Sequence, residues 1–87
     1  MKVKNMVSSK GNPIANQFII MTEHGDYFQS YDTIIAFKDK KGNTILDIDK
    51  WDYSQTTGRY RNDFLGEGIG ETRRKINSGE YKLENLN

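Results

Sequence analysis

The chain has 87 residues, thirteen basic and twelve acidic, a net charge of +1, and no cysteine. That length allows one domain with one modest core, and the missing thiols exclude a disulfide framework or a thiolate metal site. Near-neutral charge argues against a dedicated duplex binder, and the longest apolar run, Phe18-Ile19-Ile20-Met21, is far too short to span a membrane.

Met1-Lys2-Val3-Lys4-Asn5 has charge but no apolar stretch behind it, so no signal peptide is expected. Apolar content is low, yet nine isoleucines, ten aromatics and no low-complexity tract favour a folded chain. Lys2–Val7 reads as a weak first strand. Ser8-Ser9-Lys10-Gly11-Asn12-Pro13 is a turn, because the residue before proline is pushed out of helical space. Ala15–Thr22 has apolar groups at both parities of the pleat, which predicts a central strand buried on two faces.

Glu23-His24-Gly25-Asp26 supplies a reversal, followed by a short strand over Tyr27–Ser30 and another over Asp32–Lys38. Lys40-Lys41-Gly42-Asn43 is a hairpin signal before a fifth strand, Thr44–Trp51. In that strand Leu46 and Ile48 are expected inward, with Asp47 and Asp49 outward. Five strands joined by short loops make an antiparallel meander the simplest topology.

The period then changes. Tyr53, Thr57, Tyr60 and Phe64 fall at i, i+4, i+7 and i+11, one face of a helix. Ser54 is the predicted N-cap and Gly66 the residue that ends it, with Gly58 costing about 1 kcal/mol inside. A second helix is predicted over Glu71–Ser78, stopped by Gly79, with Thr72 and Ile76 facing the core together. Its acid comes early and its bases late, as the helix dipole favours. Tyr81 and Leu83 alternate against Lys82 and Glu84, so a short strand closes the chain. The expected fold class is α+β: an antiparallel sheet of about five strands packed by one or two short C-terminal helices. A single domain spans 1–87, strand-rich over 1–52 and helical over 53–79, with the closing strand within 80–86.

Chemistry is sparse. His24, the sole histidine, sits in a turn without triad or metal-ligand spacing, so zinc is not expected. Asp47, Asp49 and Asp52 lack the glycine turn and closing glutamate of a calcium loop. Gly66-Glu67-Gly68-Ile69-Gly70 follows a helical pattern, without the spacing of a phosphate-cradling loop, and reads as a connector. No serine has a nucleophile-elbow context. Neither catalysis, a cofactor nor a metal is expected.

The densest segment runs from Trp51 to Gly66, with the sole tryptophan, two tyrosines, a phenylalanine and two of the four arginines. Tyr, Trp and Arg are enriched at protein-binding hot spots, and they also stack on single-stranded nucleic acid. Trp51, Tyr53, Tyr60 and Phe64 equally suit packing a helix onto a sheet. Arg59 and Arg61 lie off the Tyr60 stripe and are expected to face outward. Candidate partner-binding residues are therefore Tyr53, Arg59, Tyr60 and Arg61 on the basic side and Asp47, Asp49 and Asp52 on the acidic side. Either patch fits a binding face.

Trp51-Asp52-Tyr53-Ser54, Thr56-Thr57, Arg59-Tyr60, Phe64-Leu65-Gly66-Glu67, Glu71-Thr72 and Tyr81-Lys82-Leu83 carry a resemblance. The chain resembles, over most of residues 15–86, a family of short bacteriophage and prophage proteins of unknown function. Those proteins show a W-D-Y-S-x-T-T-x-K/R-Y run followed by F-L-G-E. Gly68-Ile69-Gly70 is more glycine-rich than that pattern. The resemblance implies a phage protein acting in the bacterial host cytoplasm, and small size, the lack of catalytic equipment and the Arg/Tyr patch favour a non-enzymatic inhibitor of a host defence protein such as a CRISPR effector. The alternative is a nucleic-acid-binding accessory protein of phage replication or expression, drawing on the basic first strand with Lys2 and Lys4, on Arg59, Arg61 and Arg73-Arg74-Lys75, and on the interleaved tyrosines.

Overall fold

A computed structural model describes residues 1–87. Six strands form one sheet in the order β1 (Lys2–Val7), β2 (Pro13–Met21), β3 (Gly25–Ser30), β4 (Thr33–Asp39), β5 (Thr44–Asp47) and β6 (Tyr81–Glu84). The first five pair antiparallel as a meander. Between β5 and β6 the chain makes α1 (Gln55–Leu65) and α2 (Ile69–Asn77). β6 then returns parallel to β5, so the sheet is mixed and one strand wider than the meander expected from sequence. A helical crossover is the connection that parallel neighbours require. No helix is long and apolar enough to cross a membrane.

Cross-strand register gives the sheet two different faces. Lys4, Ile19, Phe28, Ala36, Leu46 and Leu83 pair in one continuous lateral row. Phe28, Ala36 and Leu46 are wholly buried, and the Phe28 ring stacks on Phe64 of α1 with centroids 5.8 Å apart. This row is the floor on which the helices pack. Ile35, an extra residue where the β3–β4 register shifts, joins the same core. The next row, Val3, Ile20, Tyr27, Phe37, Ile45 and Lys82, points to the opposite side, because alternate residues of a strand project from opposite faces.

The first helix begins and ends where its sequence signals lie. Ser54 Oγ accepts from the Thr57 N–H at 3.1 Å, and Gly66 takes a left-handed conformation with φ 71°. Its last turn has no basic residue of its own. Lys38 of β4 supplies the charge instead, donating to the Phe64 carbonyl at 2.7 Å where the helix dipole is negative. α2 starts at Ile69, two residues before the expected Glu71, so Gly70 lies in its first turn and Gly68 is its N-cap. Thr72 is wholly buried and Ile76 packs against the core, as the period predicts.

β5 corrects the sequence reading most sharply. It stops at Asp47 rather than continuing to Trp51; Leu46 faces inward and Asp49 outward as expected, but Asp47 and Ile48 exchange roles. Asp47 is 2% exposed and Ile48 51% exposed. The cause is local chemistry. The Asp47 carboxylate accepts from the backbone N–H groups of Lys50 (2.9 Å) and Asp49 (3.2 Å), bending the chain out of the sheet. Its other oxygen accepts from the Leu86 N–H at 2.8 Å and the Asn87 side-chain amide at 3.1 Å, so the C-terminal residues cover it.

Candidate binding site

The Trp51–Gly66 segment folds around a buried arginine. Thr57, Arg61 and Phe64 are spaced i, i+4, i+7 and all three face inward. Arg61 is 1% exposed, which overturns its expected outward position. Its Nη1 donates to the Trp51 carbonyl at 2.8 Å and to Asp52 Oδ1 at 3.2 Å, and its Nη2 donates to Asn62 Oδ1 at 3.0 Å. The guanidinium also lies over the Trp51 ring, 5.4 Å from its centroid. A planar five-donor fork satisfies several acceptors at once, so Arg61 fixes the 51–54 turn onto α1 rather than reaching a partner.

Above this arginine lies an open cleft of about 650 Å³, walled by the 52–55 turn, one side of α1 and the start of α2. Tyr53, Arg59, Asn62, Ile69 and Arg73 line it, with Asp52 and Arg61 at its base. Tyr53 is 44% exposed, and Lys50 sits over its ring at 5.4 Å. Arg59 is exposed, stacks loosely on Tyr60 at 5.7 Å, and forms no ion pair. Arg73 donates to Asp52 Oδ2 at 3.3 Å, so one carboxylate is shared by two guanidinium groups. Three arginines against one aspartate leave the cleft cationic. Its rim carries an amphipathic tyrosine and an unpaired arginine, side chains able to stack on a ring and to donate to a carboxylate or phosphate.

The structure therefore brings together Tyr53, Arg59, Arg61 and Asp52 of the sequence candidates, with Arg61 as support. Tyr60 is half-buried and packs against the core outside the cleft lining. Asp47 and Asp49 line a separate recess with Asp32, Lys50 and Asn87. Asp47 is spent on backbone N–H groups there. Burial alone would raise its pKa, but the bonds from Leu86, Asn87, Lys50 and Asp49 outweigh it and hold the carboxyl below its usual range. The three aspartates thus form no single acidic patch, and no cluster of metal-ligating side chains is present.

Sequence reasoning missed Arg73 and Asn62 as cleft residues. Nothing in spacing links Arg73 to Asp52, twenty-one positions earlier. It also missed a brace behind the site. Glu67, in the segment read only as a connector, accepts from Thr72 Oγ1 (2.6 Å), Lys75 Nζ (2.8 Å) and the Tyr81 hydroxyl (2.9 Å). Its burial acts to raise its pKa, and those three donors reverse the shift to a net lowering. The hydrogen bond to Glu67 raises the pKa of Lys75. Glu67 thereby locks the start of α2, which walls the cleft, to the α2 interior and β6.

Comparison with known proteins adds one finding. The model of a family of unknown function (DUF8033) matches residues 1–82, and the chain belongs to that family. No curated protein and no solved structure matches the chain significantly.

Proposed function

We propose that this member of the family is a non-enzymatic protein-binding module, and that it grips an acidic segment of its partner in the Tyr53–Arg59–Arg73 cleft. One observation supports the reading most: Arg59 stands exposed and without a counter-ion beside the exposed Tyr53, on a turn held rigid by the buried Arg61. Arginine and tyrosine on a pre-ordered support lose little entropy on binding, which is why such residues dominate interface energetics.

Nucleic-acid binding has less support. In the basic cluster that favoured it, Arg74 and Lys75 are paired with Glu71 and Glu67, which leaves only Arg73, sharing Asp52 with Arg61, as a partly free cation. A phosphate-tracking groove needs cations free to replace counter-ions. The motif resemblance to phage and prophage proteins extends the proposal to its setting. In that setting the chain works in the bacterial host cytoplasm as an inhibitor of a host defence protein, a CRISPR effector being the type example.

Affinity capture from nuclease-treated bacterial lysate, with the tagged chain as bait, tests this. A stoichiometric protein partner that survives nuclease supports the proposal. Capture that vanishes on nuclease treatment would replace it with the nucleic-acid reading.

A further inference from the structure

The face of the sheet away from the helices carries no helix; Leu86 and Asn87 close only its corner at Asp47. Its central row runs without interruption across all six strands: Val3, Ile20, Tyr27, Phe37, Ile45 and Lys82. Tyr27 and Phe37 pack with centroids 4.5 Å apart, and Val3 is 56% exposed. Ile20, Tyr27, Phe37 and Ile45 are each only partly buried. In the neighbouring row Phe18 and Ile34 flank Gln29. Strand alternation accounts for the apolar residues pointing inward. It does not account for a second apolar row pointing outward, because a sheet covered on one side normally presents polar residues on the other.

We propose that a second copy of the chain covers this face, sheet against sheet, in a symmetric dimer. Three features select that occupant. First, the row carries no charge from Val3 to Ile45, so like residues of two copies meet without repulsion, as an isologous interface requires. Second, Lys82 and Glu84 lie at the rim of the same face on β6 with opposite charges, so the edge of the patch is self-complementary. Third, the size fits. Six strands about 4.8 Å apart and roughly 20 Å long give a face of about 500 Å² in projection, near the lower end of the roughly 600–1,000 Å² per partner of standard interfaces.

Single-stranded nucleic acid would also stack on Phe18, Tyr27 and Phe37. It would need flanking cations, and Lys82 alone serves this face, with Glu84 beside it. The proposal is independent of the cleft, which lies among α1, α2 and the 52–55 turn. A dimer formed through the open face leaves both clefts outward and free.

Sedimentation equilibrium of the full chain, with Phe37→Lys and Ile20→Lys as variants and Arg59→Ala as a control, tests the inference. The expected result is a species of about 20 kDa, twice the 10.1 kDa chain, for the unchanged protein and for Arg59→Ala. Each lysine variant that keeps its circular dichroism spectrum dissociates at least about 30-fold more readily. A photo-crosslinking residue at position 3, exposed and outside the core, joins two chains even if both lysine variants unfold. A monomer at about 100 μM with no crosslink overturns the inference. So does a dimer that persists in folded lysine variants, or a crosslink at position 3 made to oligonucleotide instead.

Discussion

Arg61 donates to the carbonyl of Trp51 at 2.8 Å while lying over the indole ring of the same residue, so a helix and the turn before it are joined through one buried guanidinium. The bond holds the 52–55 wall of the cleft, and with it Tyr53, in place. Without Arg61 the Trp51 carbonyl and the Asn62 amide oxygen lose a donor inside the fold. Arg61→Ala is expected to destabilise by about 3 kcal/mol, measured by urea unfolding. Arg61→Lys recovers less than half of that, because one ammonium cannot serve acceptors on both sides of the planar fork. Full recovery by lysine would show that charge alone matters here.

Ser30 of β3 and Thr57 of α1 share a buried hydrogen bond of 2.9 Å. It joins sheet to helix across twenty-seven residues. Thr57→Val keeps the volume but leaves the Ser30 hydroxyl unpaired, at an expected loss of about 1–2 kcal/mol. Ser30→Ala with Thr57→Val removes both partners and is expected to lose less than the sum of the single changes. A double-mutant cycle with no coupling would contradict the pairing.

These two contacts mark how far the sequence could be read. Alternation and turn chemistry located every strand of the meander, and Ser54 and Gly66 bounded α1, because caps and pleats are local devices written in adjacent residues. Arg61 and Asp47 were misplaced for a common reason. Each is a charged residue that becomes buried by serving backbone groups, Trp51 in one case and Leu86 in the other. Residue type alone assigns such side chains to the surface. The parallel pairing of β6 with β5 depends on which sheet edge the chain reaches after two helices, which no short-range signal records. The cleft was half legible. Tyr53 and Arg59 stood out by type, whereas Arg73 reaches Asp52 only through the packing of α2.

Gly58 lies inside α1, and a methyl group there would meet the Arg61 guanidinium at 3.5 Å, an ordinary contact. Its backbone is helical, so no special conformation requires glycine. Gly58→Ala is expected to raise stability by about 0.5–1 kcal/mol, read as a higher urea midpoint. A loss above about 1 kcal/mol would mean that the arginine has no room to yield.

Glu67 and Asp47 titrate below the usual carboxyl range, each because its donors outweigh burial. Their folded pKa values are depressed, so the stability they contribute is present above the unfolded values of about 4 and drains away as pH falls through the folded ones. Lys75 is shifted upward by its bond to Glu67, and Tyr81 upward by burial and then by Glu67. Their contribution is present below the unfolded values of about 10 and is lost as pH rises through the folded ones. A stability plateau between roughly pH 5 and 9 is expected. Glu67→Gln lowers that plateau and flattens the acid limb, and an acid limb of unchanged steepness would contradict the assignment.

Binding of the captured partner to cleft variants tests the central claim most directly. Isothermal titration with Arg59→Ala and with Tyr53→Ala, both exposed positions that leave the fold intact, is expected to give affinities at least about tenfold weaker in each case. Affinities within about twofold of the unchanged chain for both variants would contradict the account and place the contact elsewhere on the molecule.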